Sequence, residues 1–102
     1  MGLKMDSLDT IAQRFQTDKA TAFTRTYARP KGFTVHYDRI FSPIRLNKLK
    51  VLEIGVAGGE SIQMWLEYFP NAQVCGVDIV QSTNPWNTPG QSPDPRYWFV
   101  HN

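Results

Sequence analysis

Residues 50–59, KVLEIGVAGG, decide the fold of this 102-residue chain. The run as far as residue 56 is nearly continuous in apolar, β-branched side chains, which is typical of a strand buried on both faces. Residues 57–59 then form a tight turn, and a helical apolar pattern follows over residues 60–69 until Pro70 stops it. Strand, glycine turn and helix in this order predict the first part of a βαβ unit.

The second strand of that unit is predicted over residues 74–80, VCGVDIV. A βαβ unit implies parallel strands joined by a right-handed crossover. Residues 82–96 contain four prolines and predict an extended loop without regular structure. Residues 97–101, YWFVH, predict a third strand. The pattern therefore predicts an α/β fold with three parallel strands.

Two amphipathic segments precede the first strand. Residues 6–15 predict a helix that Asp6 or Ser7 caps. Its apolar positions at helical spacing are Leu8, Ile11, Ala12 and Phe15. Residues 36–45 predict a second helix, which Pro43 must end or kink. Its apolar positions are Tyr37, Ile40, Phe41 and Ile44.

Residues 16–32, between the two predicted helices, are predicted to be mostly irregular. The chain thus divides into a helical cap segment, residues 1–49, and the first half of a nucleotide-binding domain, residues 50–102.

Composition limits the class of protein. Hydrophobic residues make up 41% of the chain, which is enough to build a core, but no apolar run is long enough to span a membrane. The N-terminus lacks the layout of a signal peptide, so a cytoplasmic location is predicted. Cys75 is the single cysteine, which excludes an intrachain disulfide and predicts an inert, buried thiol.

The net charge of +2 combines a basic first half with an acidic second half. Such asymmetry either steers an anionic ligand or reflects solvated surface.

The glycine turn and the acid after it predict a nucleotide site. Without a Cβ, a glycine lets a ligand approach the backbone closely. Asp78, at the tip of the second predicted strand, is placed to accept hydrogen bonds from ribose hydroxyls. Both dinucleotides and S-adenosylmethionine (SAM) fit this geometry.

Three details favour SAM over NAD. The dinucleotide fingerprint requires a glycine or alanine where this chain has Glu60. Glu53, two residues before Gly55, would repel a pyrophosphate but suits the ammonium and sulfonium groups of SAM. Glu60 also places negative charge at a helix N-terminus, where a phosphate would otherwise bind.

The sequence VLEIGVAGG followed by VCGVDI resembles the first two motifs of class I SAM-dependent methyltransferases, which have a Rossmann-like fold. In that family the glycine loop wraps the methionine part of SAM, and the acid after the second strand binds its ribose. The resemblance implies a cofactor site formed by Glu53, Gly55, Ala57, Gly58, Gly59 and Asp78. Ala57 departs from the glycine that is common at its position.

Residues 8–80, with LDTIAQRFQTDKA and HYDRIFSPIR, are similar to O-methyltransferases that modify sugars on antibiotics, of the macrocin, mycinamicin and rhamnosyl-tetracenomycin kinds. This implies SAM-dependent O-methylation of a small molecule such as a sugar in natural-product biosynthesis. A TDK element adds Thr17 and Lys19 to the cofactor site, and His36 with Tyr37 matches an HxY-like element. A loop ion pair between Asp18 and Lys19 is the alternative reading.

The same relatives continue to acidic residues that hold magnesium and to a histidine base. Mg²⁺ is therefore expected only with residues beyond Asn102, and neither a metal ligand nor a catalytic residue is predicted here. One rival interpretation is a truncated SAM- or nucleotide-binding module without activity of its own. An NAD-binding protein is the second rival.

Two further expectations concern partners. The basic and aromatic residues 23–33 could contact RNA, cover an active site or form a plain basic loop, and nucleic acid is the least favoured of the three. In class I methyltransferases the first strand is central. The chain offers no strand for its other flank, so a homo-oligomer or a piece of a longer protein is expected.

Overall fold

A computed structural model describes residues 5–22 and 29–102. Its helices are α1 (Leu8–Phe15), α2 (Phe33–Phe41) and α3 (Glu60–Tyr68), and its strands are β1 (Lys50–Ile54), β2 (Gln73–Asp78) and β3 (Tyr97–His101). Short 3₁₀ turns span Ser42–Ile44 and Pro85–Asn87. In this part of the chain the three strands form one parallel sheet in the order β1-β2-β3, which confirms the predicted strands and their direction.

Helix α1 begins and packs as its sequence predicts. The Ser7 side chain accepts a hydrogen bond from the backbone N–H of Thr10 (3.1 Å), which satisfies one of the free donors of the first turn. Leu8, Ile11 and Ala12 are buried, so the predicted apolar face is the face that packs.

Helix α2 differs from its prediction at both ends. It begins at Phe33, after Gly32 in the left-handed region (φ +71°), and ends at Phe41 before the 3₁₀ turn that contains Pro43. A glycine N-cap has no side chain to accept a hydrogen bond, so the sequence carries no signal for this helix start. Ile40 is 64% exposed, so the predicted stripe is wrong at that position. Tyr37, in contrast, packs on the ring of Trp65 (5.8 Å between ring centroids).

One hydrophobic core lies between the helices and one face of the sheet. It takes residues from both sides of the predicted boundary at residue 49, and the division into two segments stays a prediction. The fully or nearly fully buried members include Leu8, Ile11, Ile62, Met64, Leu66, Tyr68, Val74 and Phe99.

The opposite face of the sheet, which we call the open sheet face, is not covered by the described residues. Leu52 is 62% and Ile54 81% exposed, so the prediction that β1 is buried on both faces is wrong. The helices that pack on the sheet lie on its other side. Strand register aligns two apolar rows across the open sheet face, Leu52–Cys75–Trp98 and Ile54–Val77–Val100. Cys75 is accordingly half-buried rather than fully buried, and burial raises the pKa of its thiol.

The ends of the predicted elements need smaller corrections. β2 ends at Asp78, which leaves Ile79 and Val80 exposed. The loop at residues 82–96 is not wholly irregular, because the Asn84 side chain accepts from the Trp86 N–H (2.9 Å) and caps the second 3₁₀ turn.

The structure does not test two of the expectations from the sequence, the cytoplasmic location and the role of residues 23–33. In the described part of the chain no helix is long and apolar enough to cross a membrane, and the cytoplasmic location stays a prediction. Residues 23–28, the first part of the basic and aromatic stretch at 23–33, lie outside the described residues.

Candidate cofactor site

Three residues of the glycine turn between β1 and α3 lie in the left-handed region of the φ/ψ plot. Gly55 (φ +89°), Ala57 (φ +50°) and Gly59 (φ +86°) all have positive φ. This conformation costs a non-glycine residue roughly 1–2 kcal/mol, so Ala57 is held against its preference. A Cβ built on Gly55 would meet nothing within 4 Å, and the space above the start of the turn is therefore open to a ligand.

The Asp78 carboxylate is joined directly to this turn. Its Oδ2 accepts hydrogen bonds from the N–H groups of Val56 (2.8 Å) and Ala57 (3.2 Å), and its Oδ1 accepts from Val80 (3.0 Å). Hydrogen bonds from the backbone of Val80, Val56 and Ala57 lower the pKa of Asp78 below its usual value. The predicted ribose-binding carboxylate therefore also fastens the glycine turn to the end of β2.

The Glu53 carboxylate, two residues before Gly55, contacts two other side chains. The hydroxyl of Ser61, in the first turn of α3, lies 2.8 Å from Oε1 and 2.7 Å from Oε2. The ammonium of Lys19 lies 3.6 Å from Oε1, and the Glu53 side chain is only 10% exposed. A half-buried ion pair of this kind holds both charges near the turn.

Thr17 and Lys19 differ in what they can contact. Lys19 reaches Glu53, so the cation of the TDK element pairs with a carboxylate of the glycine motif. Thr17 is 3% exposed, and its Oγ1 accepts a hydrogen bond from the Lys19 N–H (3.3 Å). Thr17 thus shapes the turn that presents Lys19.

The structure brings most of the predicted cofactor residues together. The carboxyl ends of β1 and β2 carry the glycine turn and both acids, and the segment after α1 adds the lysine. A ligand site at the carboxyl edge of parallel strands is the usual placement in open α/β sheets. The residues assembled there are Lys19, Glu53, Gly55, Ala57, Gly58, Gly59 and Asp78.

Sequence reasoning missed three residues of this site. Ser61 holds Glu53, while Asn84 donates from Nδ2 to the Gly58 carbonyl (3.1 Å). The Trp86 side chain lies so close to Gly59 that a Cβ on that glycine would come within 2.4 Å of it. No local pattern in the sequence indicates these contacts, because each joins residues from different elements of the fold.

A cavity of about 510 Å³ runs along the free edge of β1 beside this site. Lys19 and Glu53 line it together with aromatic side chains of α2, of α3 and of the residue after α3. These aromatic residues are Tyr37, Phe41, Trp65 and Phe69. The cavity joins a charged corner to an apolar wall, a combination typical of sites for small organic ligands.

Neither histidine forms a catalytic constellation in the described part of the chain. His36 is exposed on α2. The Nε2 of His101 lies 2.8 Å from the carbonyl of Ile79. Across residues 5–22 and 29–102, no three His, Cys, Asp or Glu side chains are grouped so that they could hold a metal ion.

Comparison with solved structures supports the class of fold. The methyltransferase MycE of the mycinamycin biosynthetic pathway, solved in complex with Mg, S-adenosylhomocysteine (SAH) and mycinamycin VI, superposes with a TM-score of 0.72 at 29% identity. The match covers 99% of this chain and 26% of MycE. The Rossmann-like methyltransferase fold predicted from the two motifs is confirmed, and the chain corresponds to a part of it.

Comparison with curated sequences adds the kind of methyltransferase. The chain is 38% identical over 82 residues to L-olivosyl-oleandolide 3-O-methyltransferase of Streptomyces antibioticus, covering 74% of this chain and 19% of that protein. It is 39% identical over 90 residues to mycinamicin VI 2''-O-methyltransferase of Micromonospora griseorubida, covering 81% and 21%. No protein-family model matches the chain. The chain spans about a fifth of the length of these relatives, and the predicted resemblance to antibiotic-sugar O-methyltransferases is confirmed.

Proposed function

We propose that this chain is the SAM-binding part of an O-methyltransferase that acts on a sugar hydroxyl of a small natural product. The observation that carries the proposal is the placement of Glu53 and Asp78 on either side of the open glycine turn, at the carboxyl ends of neighbouring strands. The names of the two relatives given above are those of O-methyltransferases that act on glycosylated natural products. MycE was solved with SAH and Mg.

The charges of the site fit the amino-acid end of SAM. That end carries an ammonium and a carboxylate, and the paired Glu53 and Lys19 offer the opposite charge to each. Asp78 would accept from the ribose hydroxyls while sharing its oxygens with the amides of Val56 and Ala57. Glu60, in the first turn of α3, makes the helix start unfavourable for a phosphate.

SAM, when bound, supplies a methyl group activated by its sulfonium. The chain's own residues would position it, with the glycine turn admitting the cofactor and the two acids fixing its ends. The acceptor oxygen must lose a proton to a base during methyl transfer. We propose that the base and any Mg²⁺ site come from residues outside this chain.

Titration calorimetry of the 102-residue chain with SAH and with NAD tests the cofactor assignment. We expect measurable binding of SAH and much weaker binding of NAD, because the site presents carboxylates where a pyrophosphate would lie. Tighter binding of NAD would contradict the proposal. A methyl-transfer assay of the same chain then separates an enzyme from a binding module without activity.

We further propose that the free edge of β1 pairs with a second copy of the chain. Gly55 N–H donates to the Val77 carbonyl and the Leu49 carbonyl accepts from Gln73, so alternate backbone groups of β1 face β2. The remaining groups, at residues 50, 52 and 54, face an edge without a strand partner among the described residues. Such an edge is a template for another chain.

Sedimentation equilibrium at micromolar concentration measures this association. We expect a mass above that of the monomer, falling toward it on dilution. A folded monomer at every concentration, judged by circular dichroism, would rule out pairing between copies.

A further inference from the structure

We propose that Asn84 and Trp86 are positioning residues that clasp the glycine turn from the loop before β3. The clasp consists of two contacts, the hydrogen bond from Asn84 Nδ2 to the Gly58 carbonyl (3.1 Å) and the packing of the Trp86 side chain against Gly59. It deepens the proposed cofactor site and rests on it for its functional meaning. Its structural part can be tested without any ligand.

The glycine turn needs such support because its glycines do not restrict the backbone to one conformation. Gly55 and Gly59 are glycines, which can adopt many other backbone conformations. Ala57 has a positive φ that costs an alanine free energy, so contacts must hold it there. The amide side of the turn is fixed by Asp78, which binds the N–H groups of residues 56 and 57. The carbonyl of Gly58 accepts a hydrogen bond from the Asn84 side chain. Two separate side chains thus fix the two polar sides of the turn.

Asn84 can act as a clasp because its own loop is rigidly bonded. Its Oδ1 accepts from the Trp86 N–H (2.9 Å), and its N–H donates to Ser82 Oγ (3.0 Å). Its carbonyl accepts from the Asn87 N–H (3.0 Å) and from Thr88 Oγ1 (2.7 Å). Every polar group of Asn84 therefore has a partner, and the Nδ2 donor is held in one direction.

Trp86 carries the connection onward to β3. Its carbonyl accepts a hydrogen bond from the Tyr97 hydroxyl (2.6 Å), and the two rings lie 5.6 Å apart. The Tyr97 hydroxyl lies close to Gly76 of β2. A Cβ added to Gly76 would lie only 2.4 Å from the hydroxyl oxygen. The glycine in β2 thus makes room for the contact. A continuous path of contacts links β3 to the glycine turn.

The test compares Asn84→Ala with Asn71→Ala in the 102-residue chain. Asn71 is a matched control, because its Nδ2 also donates to a loop carbonyl (Leu46, 2.7 Å) but far from the turn. The first readout is amide hydrogen exchange by NMR. The Gly59 N–H, bonded to the Val56 carbonyl, reports on the turn, and the Val74 N–H, bonded to the Arg96 carbonyl, reports on the sheet.

In Asn84→Ala we expect exchange at Gly59 to rise severalfold relative to Val74, and SAH affinity to fall roughly 2- to 12-fold, the range for one lost hydrogen bond. Asn84→Asp keeps the acceptor for Trp86 but loses the donor to Gly58, so it should behave like the alanine variant. Equal acceleration at both amides, or the same effect in Asn71→Ala, would overturn the clasp. If the unaltered chain fails to bind SAH, the proposed function fails, while the exchange comparison still decides the clasp.

Discussion

Gly59→Ala is expected to lower the free energy of unfolding by about 2–5 kcal/mol, the sum of a left-handed alanine and an overpacked contact. At φ +86° the new side chain is strained, and its Cβ would lie 2.4 Å from the Trp86 Cβ and 2.6 Å from its Cγ. Because a small domain has only about 5–15 kcal/mol of stability, the loss is a large fraction of the total. Urea denaturation followed by circular dichroism measures it.

Gly90→Ala supplies the control for that result. Gly90 also has a positive φ (+75°), but a Cβ there would meet nothing within 4 Å. It should therefore show only the backbone cost, about 1–2 kcal/mol. Equal losses in the two variants would mean that Trp86 does not press on the turn.

Asp78→Ala is expected to weaken SAH binding by about 1–3 kcal/mol, the cost of leaving polar groups without their partner, or roughly 5- to 150-fold in affinity. The carboxylate is proposed to bind the ribose hydroxyls and is seen to hold the amides of Val56 and Ala57. Its removal therefore takes away one ligand contact and loosens the turn that makes the others. Calorimetric titration of both proteins with SAH measures the difference.

The same variant should change how stability depends on pH. Backbone hydrogen bonds lower the pKa of Asp78 in the folded chain. A lowered folded pKa contributes stability that is fully present above the unfolded pKa, about 3.9, and is lost as the pH falls through the folded value. The unaltered chain should thus lose more stability than Asp78→Ala on acidification below about pH 4.

Asp94→Ala is the matched control for the binding measurement. The Asp94 carboxylate also binds a nearby backbone amide, that of Arg96 (2.8 Å), but it precedes β3 at the opposite edge of the sheet. It should leave SAH affinity unchanged. An unchanged affinity in Asp78→Ala would remove Asp78 from the ribose role.

The sequence predicts the βαβ unit well because each of its signals is local. The apolar run before Gly55, the glycines of the turn and Pro70 after α3 each restrict the backbone near themselves. The elements they predict differ from the structure mainly at their ends. Burial was harder to predict, since an apolar strand such as β1 has the same sequence whether one face or both faces are covered.

The residues of the candidate site likewise fall into those that the sequence predicts and those that it does not. Glu53 and Asp78 are recognisable because they stand at fixed distances from the glycine turn along the chain. Asn84 and Trp86 are not, because their role depends on how a proline-rich loop folds back over that turn. Sequence spacing gives no measure of that approach, and only the three-dimensional structure places the loop on the turn.

The open sheet face has a consequence for calorimetry. Leu52 and Ile54 are largely exposed in the folded chain, so unfolding adds little new contact between these side chains and water. They contribute correspondingly little to the heat capacity of unfolding, which follows the apolar surface newly exposed. Any polypeptide that covers this face must remove that surface from water on binding. The association would therefore show a negative heat-capacity change, whatever its enthalpy at one temperature.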